Sequence, residues 1–365
     1  MKALVFHGPG ERSWDTVPDP AIIAETDAIV RIDSATICGT DLHILKGDVP
    51  EVEPGTILGH EAVGTIVETG SAVTTVEEGD RVLVSCITSC GRCRFCREGH
   101  YGLCIGGGGW ILGHLINGLQ AELARVPFAD TSVHKLPAEI ANEQALFLAD
   151  ILPTSYEVGV LNGGVVPGDT VAIVGAGPIG LAAVMTAKLY TPGRIVVLDV
   201  ADARLEHAKK FGADIVINNG ATDPVAEIME LTDGLGADVA IEAVGIPETF
   251  ELCADIVRPG GHVANVGVHG APATLHLEKL WIKDVTIMTG LVDTTTTPRL
   301  LELIVNGRLD PTLFATHHFE LHDTESAYET FADAATTNAL KVVLSADRAQ
   351  LTAKEQTEAL AGTAV

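Results

Sequence analysis

The stretch TVAIVGAGPIG, residues 170–180, decides how the rest of this chain is read. An apolar run leads into the pattern G-x-G-x-x-G, made by Gly175, Gly177 and Gly180, and an alanine-rich segment, LAAVMTAKLY, follows. A strand feeding a glycine loop that opens a helix suits a bound dinucleotide. The glycines allow a tight turn, close approach of a pyrophosphate to the backbone, and close packing of helix on strand. A second strand, RIVVLD, ends in Asp199, nineteen residues beyond Gly180. A carboxylate there can bond both ribose hydroxyls of NAD and repels the extra 2′-phosphate of NADP. Arg204 stands nearby, either softening that preference or lining the adenine side. Helices and strands then alternate: ARLEHAKKFGA, DIVIN, DPVAEIMELTDG, ADVAIEAVG, TFELCADIVRPG and GHVANVGV. Strict alternation predicts a doubly wound parallel sheet. Gly245 and Val268 fall at carboxyl ends of strands, where a nicotinamide would lie.

Toward the amino terminus the pattern changes. Residues 1–35 and 62–84 read as short strands punctuated by Gly64, Gly70 and Gly79, and GLQAELARVP as one more. A small antiparallel barrel or sandwich accounts for them. Between them lies CGTDLHILKGDVPEVEPGTILGHE, residues 38–61. Cys38, His60 and Glu61 offer sulfur, nitrogen and oxygen, a mixture suited to Zn²⁺. Thr40 and His43 provide a plausible route for a proton to water. Asp41 can accept the second ring N–H of a ligand histidine. A small buried thiol and a turn histidine are the plain alternative for Cys38 and His60.

Cys90, Cys93, Cys96 and Cys104 are spaced C-x2-C-x2-C-x7-C. Four thiolates so close can enclose a tetrahedral Zn²⁺ with no open position, which makes the site structural. A redox CxxC is the alternative. Cys86 lies outside the pattern and is expected as a buried thiol, and Cys253 as a core residue on a helix. Gly106 to Gly109 read as a flexible loop ending in Trp110, either a packing residue or the wall of an apolar substrate pocket. Residues 137–149, PAEIANEQALFLA, have a helical pattern and deliver Asp150. An acid set in an apolar run needs a cation or a donor, so Asp150 is either a helix cap or a metal ligand.

The remaining composition sets bounds. A chain of 365 residues, 47% apolar with 38 glycines, predicts two α/β-type domains. The net charge of −26, with only ten lysines, repels nucleic acid and anionic lipid. Adaptation to high salt is one reading of it, a merely acidic surface the other. No apolar run is long enough to span a membrane, and the segment MKALVFHGPGERSW is too weakly apolar for a signal peptide, so the expected address is cytoplasmic. His317, His318 and His322 lack ligand spacing and are expected at the surface or in turns. Residues 346–365 carry no apolar stripe and are expected as a frayed helix or tail.

These motifs together resemble the zinc-dependent medium-chain alcohol dehydrogenases over essentially residues 1–345. The resemblance rests on CGTDLH (38–43), GHEAVGTIVETGSAV (59–73), the four-cysteine lobe, Asp150 and GAGPIG (175–180). It implies a GroES-like β-rich catalytic domain over 1–150, an NAD-binding Rossmann domain over 151–292 and a return over 293–345. It further implies two zinc ions per subunit. One is catalytic, on Cys38, His60 and Asp150, with Glu61 a ligand in some relatives; the other is structural, in the cysteine lobe. Thr40 and His43 match the family's proton relay, Trp110 a pocket aromatic, and Lys341 a basic residue near the cofactor phosphates. The aspartate ligand points to the branch that includes bacterial and archaeal secondary-alcohol dehydrogenases. The implied reaction moves a hydride between an alcohol and NAD. A polyol, threonine or formaldehyde dehydrogenase on the same scaffold is the alternative, and a noncatalytic NAD-sensing scaffold a more distant one. Dimers and tetramers occur in the family, and a tetramer is the expectation here.

Overall fold

Near-continuous apolar strands have to be covered on both faces, and the second half of the chain does this with a parallel sheet. The computed structural model describes residues 1–346; of the expected tail, all from 347 onward lies outside the described residues. Six parallel strands stand in the order Ile215–Asn218, Arg194–Asp199, Thr170–Val174, Ala237–Glu242, Val257–Asn265 and Thr286–Thr289. In chain order this is 3-2-1-4-5-6, the doubly wound arrangement with a switch point between the first and fourth strands. Val171, Ala172 and Ile173 are wholly buried, and Ala172, Val196, Leu198, Ala240 and Val263 share one core.

The first half builds a separate sheet. Ala28–Thr36 is its central strand, pairing antiparallel with Ala62–Thr69, with Leu123–Val126 and with Lys341–Ser345. The sheet continues through Arg81–Val84 to Val133–Lys135 on one side and to Ala315–Glu320 on the other. Register shifts between Ile29 and Val30 and between Ile32 and Ser34 mark bulges, which bend a strand and increase its local twist. A hairpin of Lys2–Gly8 and Glu11–Thr16 forms a second, two-stranded sheet packed on the same core. Leu4, Val30, Ile32, Ile66, Val82, Leu119 and Val342 share the core.

The chain divides into two compact units, 1–93 with 104–149 and 314 onward, and 94–103 with 150–313. Residues 293–313, expected with the returning part, therefore belong to the dinucleotide unit, as does the middle of the cysteine lobe. The helix expected over 137–149 shrinks to Asn142–Leu146. Phe147, Leu148 and Ala149 are fully buried, so this run has no solvent face for an amphipathic helix to present. Instead the Ala149 carbonyl accepts the Cys86 N–H at 3.0 Å.

Candidate active site

Cys38 follows the central strand and precedes the helix Gly39–Lys46. Its N–H donates to Asp41 Oδ2 at 2.9 Å, a side-chain bond that satisfies a donor at the helix start. His60 and Glu61 lead into the strand Ala62–Thr69. Gly59, at φ +92, lets His60 approach segment 113–120, for a Cβ there would lie 2.5 Å from Gln120 Cγ. Asp150 caps the short helix Ile151–Thr154 at φ −143 and ψ −70, and the Thr154 hydroxyl donates to its carboxylate. The ligand atoms of Cys38, His60 and Asp150 all lie within 4.8 Å of one another. Donors bound at zinc distances stand roughly 3.3–3.8 Å apart around a tetrahedral ion, so this group closes on one ion with small side-chain rotations. Sulfur, imidazole and carboxylate are zinc donors, and three of them leave a fourth position for a substrate oxygen. Asp41 Oδ1 faces His60 Nδ1 at 3.5 Å.

Two expectations are corrected here. Glu61 stands outside the three-donor group, because its carboxylate forms a buried ion pair with Lys341, each side chain 1% exposed. Lys341 accordingly is not displayed toward cofactor phosphates: it donates to Glu61 and to the Ile37 carbonyl at 2.9 Å. A buried carboxylate requires a cation, and the sequence did not reveal that the two would meet. Thr40 Oγ1 lies 3.6 Å from Cys38 Sγ, beside the metal position. His43, one turn along the same helix, is 47% exposed and bonds Asp48 through Nδ1 at 2.8 Å.

Cys90, Cys93, Cys96 and Cys104 also converge within 4.8 Å. Backbone N–H groups already point at the sulfurs: Cys93 at Cys90, and Cys90 and Gly106 at Cys104, each at 3.4 Å. Burial opposes the Cys104 thiolate, yet the N–H groups of Cys90, Gly106 and Gly108 outweigh it and lower its pKa. The thiolate is the ligand form, so the donor set fits a closed zinc site. The glycine run is no flexible loop. A Cβ on Gly106 would strike Cys90 Sγ at 2.3 Å and one on Gly108 the Thr88 carbonyl at 2.6 Å, so these glycines permit close packing against the lobe.

Asp199 and the glycine loop stand together. Asp199, 7% exposed, accepts from Ala176 N–H at 2.8 Å and Ala201 N–H at 2.9 Å, which sets its carboxylate beside the glycine loop. A Cβ on Gly180 would sit 1.8 Å from the Gly175 carbonyl, whereas Gly177 faces open space, the cradle a pyrophosphate needs. Gly245, at φ +91, has room only for hydrogen against the Val268 carbonyl, so these two residues form one ledge at the strand ends. Arg204 is exposed on the helix Asp202–Phe211. Trp110 is half-buried against the first unit's core and stacks on His114, ring centroids 4.1 Å apart. Cys253 is buried as expected, and His318 and His322 are exposed.

Sequence reasoning missed a third group. Ser155–Leu161, just after Asp150, is a π-helix, a form frequent at functional sites. Its Glu157 accepts the N–H groups of Asp293, Thr294 and Thr296 and the Thr296 hydroxyl. Asp293 in turn accepts from Gly102 N–H at 2.9 Å and contacts His100 at 3.2 Å. No local spacing announces contacts so distant in sequence.

Known proteins share this fold. The profile of the alcohol dehydrogenase GroES-like domain matches residues 24–138, and that of the zinc-binding dehydrogenases residues 178–306. An alcohol dehydrogenase of Cupriavidus necator is 39% identical over 352 residues, 91% of this chain and 95% of its own. The apo zinc-dependent alcohol dehydrogenase 2 from Streptococcus pneumonia superposes with a TM-score of 0.90 at 48% identity, over 95% of this chain and 99% of that one. Alcohol dehydrogenase TADH from Thermus sp. ATN1 gives 0.89 at 37%, over 95% and 100%. Fold, donor sets and relatives define a zinc-dependent oxidoreductase that uses a nicotinamide cofactor. Within that class the chain belongs to the zinc-type alcohol dehydrogenase family.

Proposed function

We propose that this chain interconverts small primary or secondary alcohols with their aldehydes or ketones, using NAD and a zinc held by Cys38, His60 and Asp150. The observation that carries this reading is the convergence of those three donors within 4.8 Å, from positions as distant in sequence as 38 and 150. Zinc supplies the Lewis acidity that acidifies an alcohol hydroxyl, and NAD supplies the hydride acceptor. The chain's own residues do the rest. Asp41 orients His60; Thr40 Oγ1 accepts the hydroxyl proton as it releases its own outward; His43, at the surface, receives a proton in turn and passes one to water. Gly175, Gly177 and Gly180 seat the pyrophosphate, Asp199 selects the ribose without a 2′-phosphate, and Gly245 with Val268 supports the nicotinamide. Trp110 walls the apolar end of the pocket. Cys90, Cys93, Cys96 and Cys104 hold a second, structural zinc.

The test is Cys38→Ala and Asp150→Ala, with an alcohol panel followed by NADH absorbance. Both variants lose turnover and keep NADH binding. Alcohol oxidation retained in either one rejects the assignment. Metal analysis of the parent returns two zinc per chain.

The proposal extends to assembly and address. The edge strand Thr286–Thr289 ends its sheet, and Leu277, Trp281 and Ile282 nearby are 62%, 76% and 72% exposed. An open edge beside exposed apolar side chains favours pairing with a second copy, and a tetramer is the favoured state. Thiolate ligands favour the reducing cytoplasm. Among the described residues no helix is long and apolar enough to cross a membrane.

A further inference from the structure

Behind His60 the first unit holds a buried polar chain of which the catalytic reading uses Asp41 and leaves Gln120 and Tyr328 without a role. Asp41 is 1% exposed, Gln120 is fully buried and Tyr328 is 1% exposed. Tyr328 Oη donates to Gln120 Oε1 at 2.8 Å. Gln120 Nε2 donates to the Thr36 carbonyl at 3.2 Å and to Asp41 Oδ2 at 3.3 Å. The Cys38 N–H also reaches Asp41 Oδ2, at 2.9 Å. One carboxylate oxygen is thus saturated, while Oδ1 is buried without a hydrogen-bond partner in this geometry and faces His60 Nδ1 at 3.5 Å, close enough for a small rotation to bond it.

The direction of this chain is chemically determined. Reversing the Gln120 amide would set its oxygen against two acceptors, the Thr36 carbonyl and the Asp41 carboxylate. Burial, and then the Asp41 charge, push the Tyr328 pKa well above the usual phenol value, so its hydroxyl stays a donor. The Arg12 guanidinium, 4.8 Å over the Tyr328 ring, braces it from the hairpin. Without the amide, the Asp41 carboxylate would be held on one side only by the Cys38 N–H and would be able to turn.

We infer that Gln120, locked by Tyr328, is a positioning residue for the catalytic metal: it aims Asp41, which fixes the tautomer and orientation of His60. This rests on the zinc assignment to Cys38, His60 and Asp150. Groups behind a ligand histidine change metal affinity by roughly ten- to a hundredfold.

The experiment uses the full zinc-loaded chain in competition with a zinc-binding dye, with Cys38→Ala identifying which release phase belongs to the catalytic ion. Gln120→Leu keeps the volume and removes the amide. It should speed release of that ion about tenfold or more and leave the cysteine-lobe ion unchanged. Tyr328→Phe should shift the same phase by less, and it carries the test if Gln120→Leu fails to fold. With Co²⁺ at the catalytic position, both variants should alter the visible absorption bands. Leu119→Ala, a core variant next in sequence, should leave bands and release unchanged. Parental release and parental cobalt bands in both Gln120→Leu and Tyr328→Phe would overturn the inference, as would an equal effect from Leu119→Ala. A parent holding only the lobe zinc would instead remove the assignment beneath it.

Discussion

Asp199 does two tasks with one carboxylate. It ties the glycine loop through the Ala176 N–H, and in the proposed function it also meets the ribose. Hydrogen bonds to a charged group contribute about 1.5–3 kcal/mol each. Asp199→Ala should therefore weaken NADH binding by roughly ten- to a hundredfold and narrow the gap to NADPH; fluorescence titration with both cofactors checks this. His134 titrates differently. Burial lowers its pKa from 6.5 to about 4. The folded protein holds this imidazole neutral while the unfolded chain protonates it below about 6.5, so its contribution is complete above that pH and is lost as pH falls toward 4. The loss is on the order of 2–3 kcal/mol, and His134→Gln should flatten the fall of the urea midpoint over that window. Of the three donors that converge, Asp150 stood out as an acid in an apolar run, whereas Cys38 and His60 left a buried thiol and a turn histidine open until the family resemblance joined the set. The fate of Glu61 and Lys341 was not. Their pairing, 280 residues apart in sequence, depends on which strands become neighbours.

At the scale of elements, the parallel sheet was readable from apolar runs alternating with helical stripes, since its inner strands Arg194–Asp199, Thr170–Val174 and Ala237–Glu242 bury both faces. The segment 137–149 misled for the same reason inverted: from Ala145 to Ala149 every residue is buried, so periodicity there carried no information about conformation. The π-helix Ser155–Leu161 and its partner loop have no sequence signature at all. Yet Glu157 gathers three N–H groups of residues 293–296 at the start of the helix Thr297–Val305. Glu157→Ala orphans those donors, and the half-buried setting limits the loss to roughly 2–3 kcal/mol in urea unfolding. Asp293→Asn, which keeps shape and removes charge, should cost less and loosen the contact with Gly102, read as faster amide exchange there.

Over the whole molecule, 49 acidic groups against 23 basic ones repel one another. Added KCl screens that repulsion and should raise the thermal midpoint, with most of the gain below about 0.15 M, where the Debye length falls fastest. A midpoint indifferent to KCl would show that local pairing already absorbs the charge. The order of the chain matters as well. The first unit is discontinuous: its sheet waits for Lys341–Ser345 to pair with Ser34–Thr36, after the whole dinucleotide unit has been made. On the ribosome, the early strands therefore emerge with that backbone edge uncovered and Glu61 lacking its ammonium. A nascent polypeptide released before residue 341 keeps both defects, each a handle for chaperones and proteases. Glu61 thus gains its counter-charge only once translation has passed residue 341.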